Sequence, residues 1–420
     1  MNHRSPGLGA AAASVDEPAP DTPARATVVL VLLAGLVALG PLSTDAYVPG
    51  LPMLAADLDA TASLAQLTVT TCLIGLAVGQ LVAGPLSDML GRRRLILAGL
   101  AVYTGAGLAA AAAPTIGALI ALRAVQGLGG SFCLVIAYAC VRDRFSGAAA
   151  ARYFSLLLLV TGLAPILAPL AGAQIIELSG WPAVFVALAV LSGLLLVACA
   201  VALPETLPPH RRRSGGLSTV GASYLRVLSD RATVGYTAVN AVVFAAMFAY
   251  ISGSPFVLQD GYGLSPQQYG LVFAVNALGL VAAAQLSGRL VGRLGARKLL
   301  TAGAIGASAA GLASILVVVA QLGLWPLLAC FFVLVTCVGF VLPNAAALTL
   351  EGHGTNAGAA AAVLGSTQFL VGGLAAPLAG TGSATDALPT VAVIGGAGLI
   401  TLLLLGWLAV VDRRRTADRA

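Results

Sequence analysis

Apolar runs of about 20 residues, the length a helix needs to cross the hydrocarbon core of a bilayer, recur along the whole chain. They predict helices at 27–51, 64–86, 94–113, 116–140, 153–177 and 183–203, then at 233–258, 269–290, 298–320, 325–349, 357–380 and 389–411. A polar stretch over 204–232 divides them six and six. The expected architecture is an all-α integral membrane protein with 12 transmembrane helices in two pseudo-symmetric six-helix bundles, 27–203 and 233–411. Residues 1–26 are expected as a disordered tail, 204–232 as a linker and 412–420 as a second tail.

Composition agrees with lipid as the main solvent. Hydrophobic residues make up 59% of 420 positions and charged residues 9%, with a mean hydropathy of +0.97. A soluble domain carries roughly a quarter of its residues charged. Residues 1–24 contain no apolar core of a signal peptide, so the first run is expected to stay as an uncleaved anchor.

The sequence pI of about 9.2 does not indicate nucleic acid, because the basic residues sit in short clusters between apolar runs. They fall before helix 1, at Arg92–Arg94, at Arg142, Arg144 and Arg152, through the linker, at Arg289–Lys298, and after helix 12. With twelve helices, 21 of the 22 Lys and Arg lie on one side, while the opposite loops hold only acids such as Asp57, Asp59 and Asp260. The positive-inside rule makes that side, and both termini, cytoplasmic. The six cysteines all fall inside apolar runs without ligand spacing, and read as small core residues.

The halves repeat each other. Gly84-Pro-Leu-Ser-Asp88-Met-Leu-Gly91-Arg92-Arg93-Arg94 leaves helix 2, and 204 residues later Gly288-Arg-Leu-Val-Gly292-Arg-Leu-Gly295-Ala-Arg297-Lys298 leaves helix 8. Such repeats frame a midplane site served by rocking of one half against the other.

Arg123 is the one basic residue inside an apolar run. A charge there costs about 2.5–3.5 kcal/mol on insertion scales, so it should face inward and be paired. The expected partner is Asp45: roughly 9 Å and 13 Å from the outer surface, at 1.5 Å per residue, the two depths are compatible. Desolvation disfavours a charged carboxylate and a nearby cation favours it, and a reversible proton site needs that competition. Helix 5 carries Gly162, Pro165, Pro169 and Gly172; the prolines bend it and the small residues admit a neighbouring helix.

Three of these segments resemble motifs of the major facilitator superfamily: Gly84–Arg94 its cytoplasmic gate motif, Leu122–Gly130 the motif B of its proton-coupled exporters, and Thr161–Gly172 the motif C that marks export. Ala164 stands before Pro165 where that motif usually has Gly, and Gly292 replaces the gate acid in the second copy. The helix 1 string Ser43–Pro52, with Leu203-Pro-Glu205-Thr-Leu, Pro343-Asn344-Ala and Gly365-Ser-Thr-Gln368-Phe, is similar to the Bcr/CflA drug-resistance branch of the drug:proton antiporters. The likeness spans about 27–411.

The resemblance implies a proton-coupled multidrug efflux transporter of a bacterial cytoplasmic (inner) membrane. Its cargo would be a small-molecule drug or natural product of bicyclomycin, phenicol or sulfonamide type. Asp45 and Arg123 would couple the proton, and Gly84, Asp88, Gly91, Arg92 and Arg93 would form the gate. Tyr47, Tyr138, Asn240, Tyr250 and Asn344 would line the cavity formed by helices 1, 4, 7 and 10. Val37, at the level where some relatives have a second acid, argues against a two-proton site. The alternative on the same fold is a proton-coupled uptake symporter. Catalysis is not expected: there is no GxxxxGK[ST] loop and no HExxH, and His3, His210 and His353 form no ligand cluster. No cofactor, no metal and no nucleic acid are expected; protons and lipid are the expected partners, and the chain is expected to be a monomer.

Overall fold

The protein is described by a computed structural model covering residues 23–212, 217–382 and 386–417. Among these residues there is no β-strand, and twelve helices are long and apolar enough to cross a membrane. Helices 1–6 are Thr27–Asp57, Ala62–Leu90, Arg92–Ala111, Ile116–Arg144, Arg152–Ser179 and Pro182–Ala202. Helices 7–12 are Arg231–Gly261, Pro266–Leu294, Ala296–Val319, Leu324–Leu350, Ala357–Gly380 and Leu388–Val411. Most of the expected tail at 1–26 lies outside the described residues, as does 418–420.

Helix 1 is longer than its apolar run predicted and is not continuous. The α-helix ends at Asp45, a 3-10 turn covers Val48–Gly50, and a short helix resumes at Leu51–Asp57. Pro49 and Pro52 each lack the N–H that a continuing helix requires. Helix 7 breaks at the corresponding place, where Pro255 gives way to a π-helical turn over Phe256–Gly261. The Gln259 side chain donates to the Pro49 carbonyl at 2.9 Å, so the two breaks are tied together. The linker contains a helix of its own, Leu217–Ser229, that the sequence reading did not resolve. Tyr224 on it donates to the Leu81 carbonyl of helix 2 at 2.8 Å.

The repeat holds in the backbone. Gly91 (φ 98) and Gly295 (φ 81) make the two sharp turns between helices 2–3 and 8–9, in a region that glycine enters without steric penalty. It also holds in packing. Helix 1 contacts helices 4, 5 and 6, helix 2 contacts 4, and helix 3 contacts 4 and 6; adding six to every number describes the second half. The chain is therefore two six-helix bundles.

The bundles meet along two seams, helix 2 with helix 11 and helix 5 with helix 8. At the end away from the basic turns the first seam is stitched by Ser63 to the Pro377 carbonyl (3.0 Å) and Thr70 to the Gly373 carbonyl (2.7 Å). Closer to the middle, Ser366 donates to the Ala77 carbonyl at 2.9 Å. Helix 5 is held equally close. A Cβ at Gly172 would lie 1.7 Å from the Ala46 carbonyl oxygen, and a Cβ at Gly270 on helix 8 would lie 3.2 Å from the Pro169 carbonyl oxygen. The outer faces carry exposed Leu178, Leu194 and Val201, which a bilayer would cover.

Candidate functional site

A cavity of about 270 Å³ lies between the bundles. The first bundle supplies Thr44 and Asp45 from helix 1 and Thr161 and Pro165 from helix 5. The second supplies Phe244, Phe248 and Tyr250 from helix 7, Phe273 and Asn276 from helix 8, and Gln368 and Phe369 from helix 11. Helices 2, 5, 8 and 11 thus contribute as well as the expected 1, 4, 7 and 10. Among the described residues Asp45 is the only charged side chain on this lining. It is buried, and it accepts a hydrogen bond from Thr44 Oγ1 at 2.9 Å.

Asp45 and Arg123 do not form the expected ion pair. Arg123 is fully buried, as foreseen, but its donors go elsewhere. Nη1 donates to Ser43 Oγ (3.0 Å) and Gln126 Oε1 (2.5 Å), and Nη2 to the Ser43 carbonyl (2.7 Å). The guanidinium lies 4.5 Å from the Tyr47 ring centroid and 5.5 Å from that of Phe185, which is within cation–π range. Its Nε has no partner among the described residues. The reason is angular: at 3.6 residues per turn, side chains two apart leave a helix about 160–200° from each other. Ser43 turns into the bundle and Asp45 turns to the cavity. Equal depth was necessary for a pair but not sufficient. Because the helix breaks after Asp45, the Ser43 carbonyl is one of the helix-end carbonyls that need a donor from outside the helix, and Arg123 supplies it.

The five residues expected to line the cavity separate. Tyr250 does line it, accepting from Asn276 Nδ2 at 2.7 Å. Tyr47 lies beyond the helix break, fully buried against Arg123, with its hydroxyl 3.0 Å from Thr68 Oγ1. Asn240 is one layer behind the lining, where it donates to Gln368 Oε1 at 2.9 Å. Asn344 spends its amide on Ser287 (2.6 Å) and the Phe340 carbonyl (2.7 Å), joining helix 10 to helix 8. Tyr138 lines a different, more polar cavity of about 690 Å³ at the basic end.

Gly84, Asp88 and Arg92 also border that second cavity. Arg92 is buried and bridges two acids: Nη1 is 2.6 Å from Asp88, and Nε is 2.8 Å from Asp143 at the end of helix 4. Its guanidinium also donates to Ser87 Oγ, and its backbone N–H donates to Glu205 at 2.9 Å. Glu205 meets Arg212 at 3.8 Å, and Arg93 donates to the Ala200 carbonyl. Helices 2, 3 and 4 and the start of the linker are thereby tied at one point. Asp143 was not singled out from sequence and Glu205 only as part of the string Leu203–Leu207, although a signal for both existed: they are acids on the arginine-rich side. Asn276 and Gln126 were missed as contributors for want of any marker beyond polarity within an apolar run.

Twelve spans, two repeated bundles and a cavity between them define a solute carrier rather than an enzyme. The chain belongs to the Major Facilitator Superfamily, whose family model matches residues 33–377. It is 36% identical over 383 residues to the uncharacterized MFS-type transporter YdgK of Bacillus subtilis, covering 90% of this chain and 94% of that one. It is 30% identical over 382 residues to a bicyclomycin resistance protein homolog of Haemophilus influenzae, covering 90% and 96%. In fold it is similar to the nucleoside transporter NupG, with a TM-score of 0.73 at 11% identity over 91% of this chain and 99% of that one.

Proposed function

We propose that this transporter is a proton-driven exporter of small amphiphilic, drug-like molecules, working by alternating access in a bacterial cytoplasmic membrane with both termini inside. The observation that carries the reading is Asp45, the one charged side chain on an otherwise uncharged cavity between the two bundles. An unpaired carboxylate is costly in apolar surroundings. A bound proton or a polar ligand relieves that cost, so the two compete for one space. The likeness to the bicyclomycin resistance protein homolog supports export of a drug-like cargo.

Arg123 acts on Asp45 through the chain rather than through space. By holding the Ser43 carbonyl at 2.7 Å it fixes the broken end of helix 1, and with it the direction in which Asp45 points. The Asp88–Arg92–Asp143 cluster is the cytoplasmic gate of this reading. The tight seams at the far end and the polar cavity beside that cluster fit a carrier facing inward. The test is Asp45→Asn in everted vesicles energised by a pH gradient. Loss of gradient-driven accumulation, with insertion and cavity binding retained, is the expected result. Transport that stays coupled to the gradient in this variant would refute the mechanism.

A further inference from the structure

The seam between helices 2 and 11 changes character at one level. Ser366 donates to the Ala77 carbonyl at 2.9 Å, and Gly365 has no room for a Cβ against Gln80, so up to that level the two helices touch directly. Beyond it the polar cavity of about 690 Å³ separates Gly84, Pro85 and Asp88 of helix 2 from Gly358, Ala361 and Ala362 of helix 11. The linker helix Leu217–Ser229 stands at this fork. It packs on helices 7 and 11 of the second bundle, where Val227 is fully buried in a small cluster with Ala360 and Val363. One turn earlier, and so on the same side of the linker helix, Tyr224 reaches the first bundle and donates to the Leu81 carbonyl at 2.8 Å. Ser223 and Tyr224 also line the polar cavity.

The acceptor differs from other carbonyls of helix 2. Within an α-helix the Leu81 C=O would be served by the N–H of residue 85, and Pro85 has none. An unmet carbonyl in a membrane-spanning helix is costly, and a side chain from a neighbouring element relieves the cost. The Tyr224 phenol does so only while its ring stands between the bundles. Closing the cytoplasmic mouth brings helices 2 and 11 together beyond Gln80, into space that the ring now fills. Helix 11 is shaped for that approach, since Gly358 to Ala362 carry nothing larger than a methyl group.

We propose that the linker helix is a strap that holds the cytoplasmic mouth open. Val227 anchors it to the second bundle, Tyr224 latches it to the carbonyl that Pro85 frees in the first, and the latch releases before the mouth closes. The proposal rests on the alternating-access reading.

The test is the distance across the mouth, measured by pulsed electron paramagnetic resonance on the full-length chain in lipid nanodiscs. Spin labels are carried on p-azidophenylalanine at positions 146 and 351, so the native cysteines stay untouched. Both positions are exposed, Ser146 in the 4–5 loop and Glu351 in the 10–11 loop, and every protein carries the same labels. The pH is set where a longer (open) and a shorter (closed) distance are both resolved. Tyr224→Phe keeps the ring and removes only the hydroxyl. It should raise the closed-to-open ratio about two- to tenfold, the worth of one net hydrogen bond. Val227→Ala loosens the other anchor and should shift the ratio in the same direction. Ala222→Ser, on the exposed side of the same helix, should leave it unchanged.

An unchanged ratio in Tyr224→Phe, or a shift toward the open distance, would overturn the strap and leave alternating access standing. One fixed distance in every protein at every pH would remove both.

Discussion

A double-mutant cycle on Asp45 and Arg123 measures whether they form a pair, independently of any transport assay. Breaking a buried ion pair by removing one partner costs about 3–5 kcal/mol, because an uncompensated charge is left behind. A true pair would therefore show a coupling energy of that order between Asp45→Asn and Arg123→Met. The geometry here gives a different number. Arg123→Met removes donors from the Ser43 carbonyl, Ser43 Oγ and Gln126 Oε1, and each neutral acceptor left unpaired costs about 1–3 kcal/mol. The variant also removes a buried cation that faces no carboxylate, which returns several kcal/mol of desolvation penalty. The two effects oppose, so the single variant should destabilise by only about 2 kcal/mol. Asp45→Asn touches none of the Arg123 partners and keeps an acceptor for Thr44. Its coupling to Arg123→Met should fall below about 1 kcal/mol, the residue expected for neighbours joined by backbone. The cycle is read from unfolding of purified protein in mixed micelles, with all four proteins at one lipid-to-detergent ratio. A coupling energy of 3 kcal/mol or more would show that the pair exists, and the account of Arg123 as a helix-end donor would be wrong.

Gly172→Val should be among the most damaging single changes on helix 5, since even its Cβ would fall 1.7 Å from the Ala46 carbonyl oxygen. Overpacking of a close contact costs about 1–3 kcal/mol or more, and the thermal midpoint of the purified variant should drop accordingly; an unchanged midpoint would mean the two helices are not in contact there. Asp143→Asn should destabilise the closed cluster around Arg92 by about 1–3 kcal/mol, the value of a charge-assisted hydrogen bond, because that guanidinium is only 3% exposed. Arg92→Lys should not restore the wild-type midpoint, since an ammonium cannot serve Asp88 and Asp143 with the planar fork of a guanidinium; full recovery would count against the bridging geometry.

The helix count, the repeat and the basic end were legible because each follows from composition over long windows. Lipid imposes runs of fixed length, and the repeat was marked by Gly91 and Gly295, whose positive φ values later matched. Contacts set by rotation about a helix axis were much less legible. Depth along helix 1 put Asp45 and Arg123 at one level, but the break after Asp45 decides which residue turns inward. Pro49 and Pro52 signalled a break without revealing that the Ser43 carbonyl would be released by it. Asn344 and Asn240 are expected at the cavity as polar residues within apolar runs of helices 10 and 7, two of the four helices that the resemblance places around it. The same property belongs to Asn276 and Gln368, and only packing distinguishes an amide spent on a neighbouring helix from one facing a cavity.

The two bundles divide the chemistry unequally, although their folds repeat. The first holds the only charge on the cavity and, directly behind it, a buried cation held by neutral acceptors. The second holds the aromatic rings and the amides of Asn276 and Gln368. In the basic turns the same asymmetry recurs: Asp88 and Arg92 form a buried cluster in the first copy, where the second has Gly292 and Ala296. A site built only from one bundle would travel with that bundle and feel no change as the halves rock. A site with its charge on one wall and its aromatic rings on the other must change geometry with every rocking step, because the walls belong to different bundles. The Gln259 to Pro49 hydrogen bond at 2.9 Å joins the two helix breaks just beyond Asp45, so opening that end would release both breaks together. On the exporter reading, this makes the end of helix 1 the point at which proton occupancy at Asp45 is converted into movement of one bundle against the other.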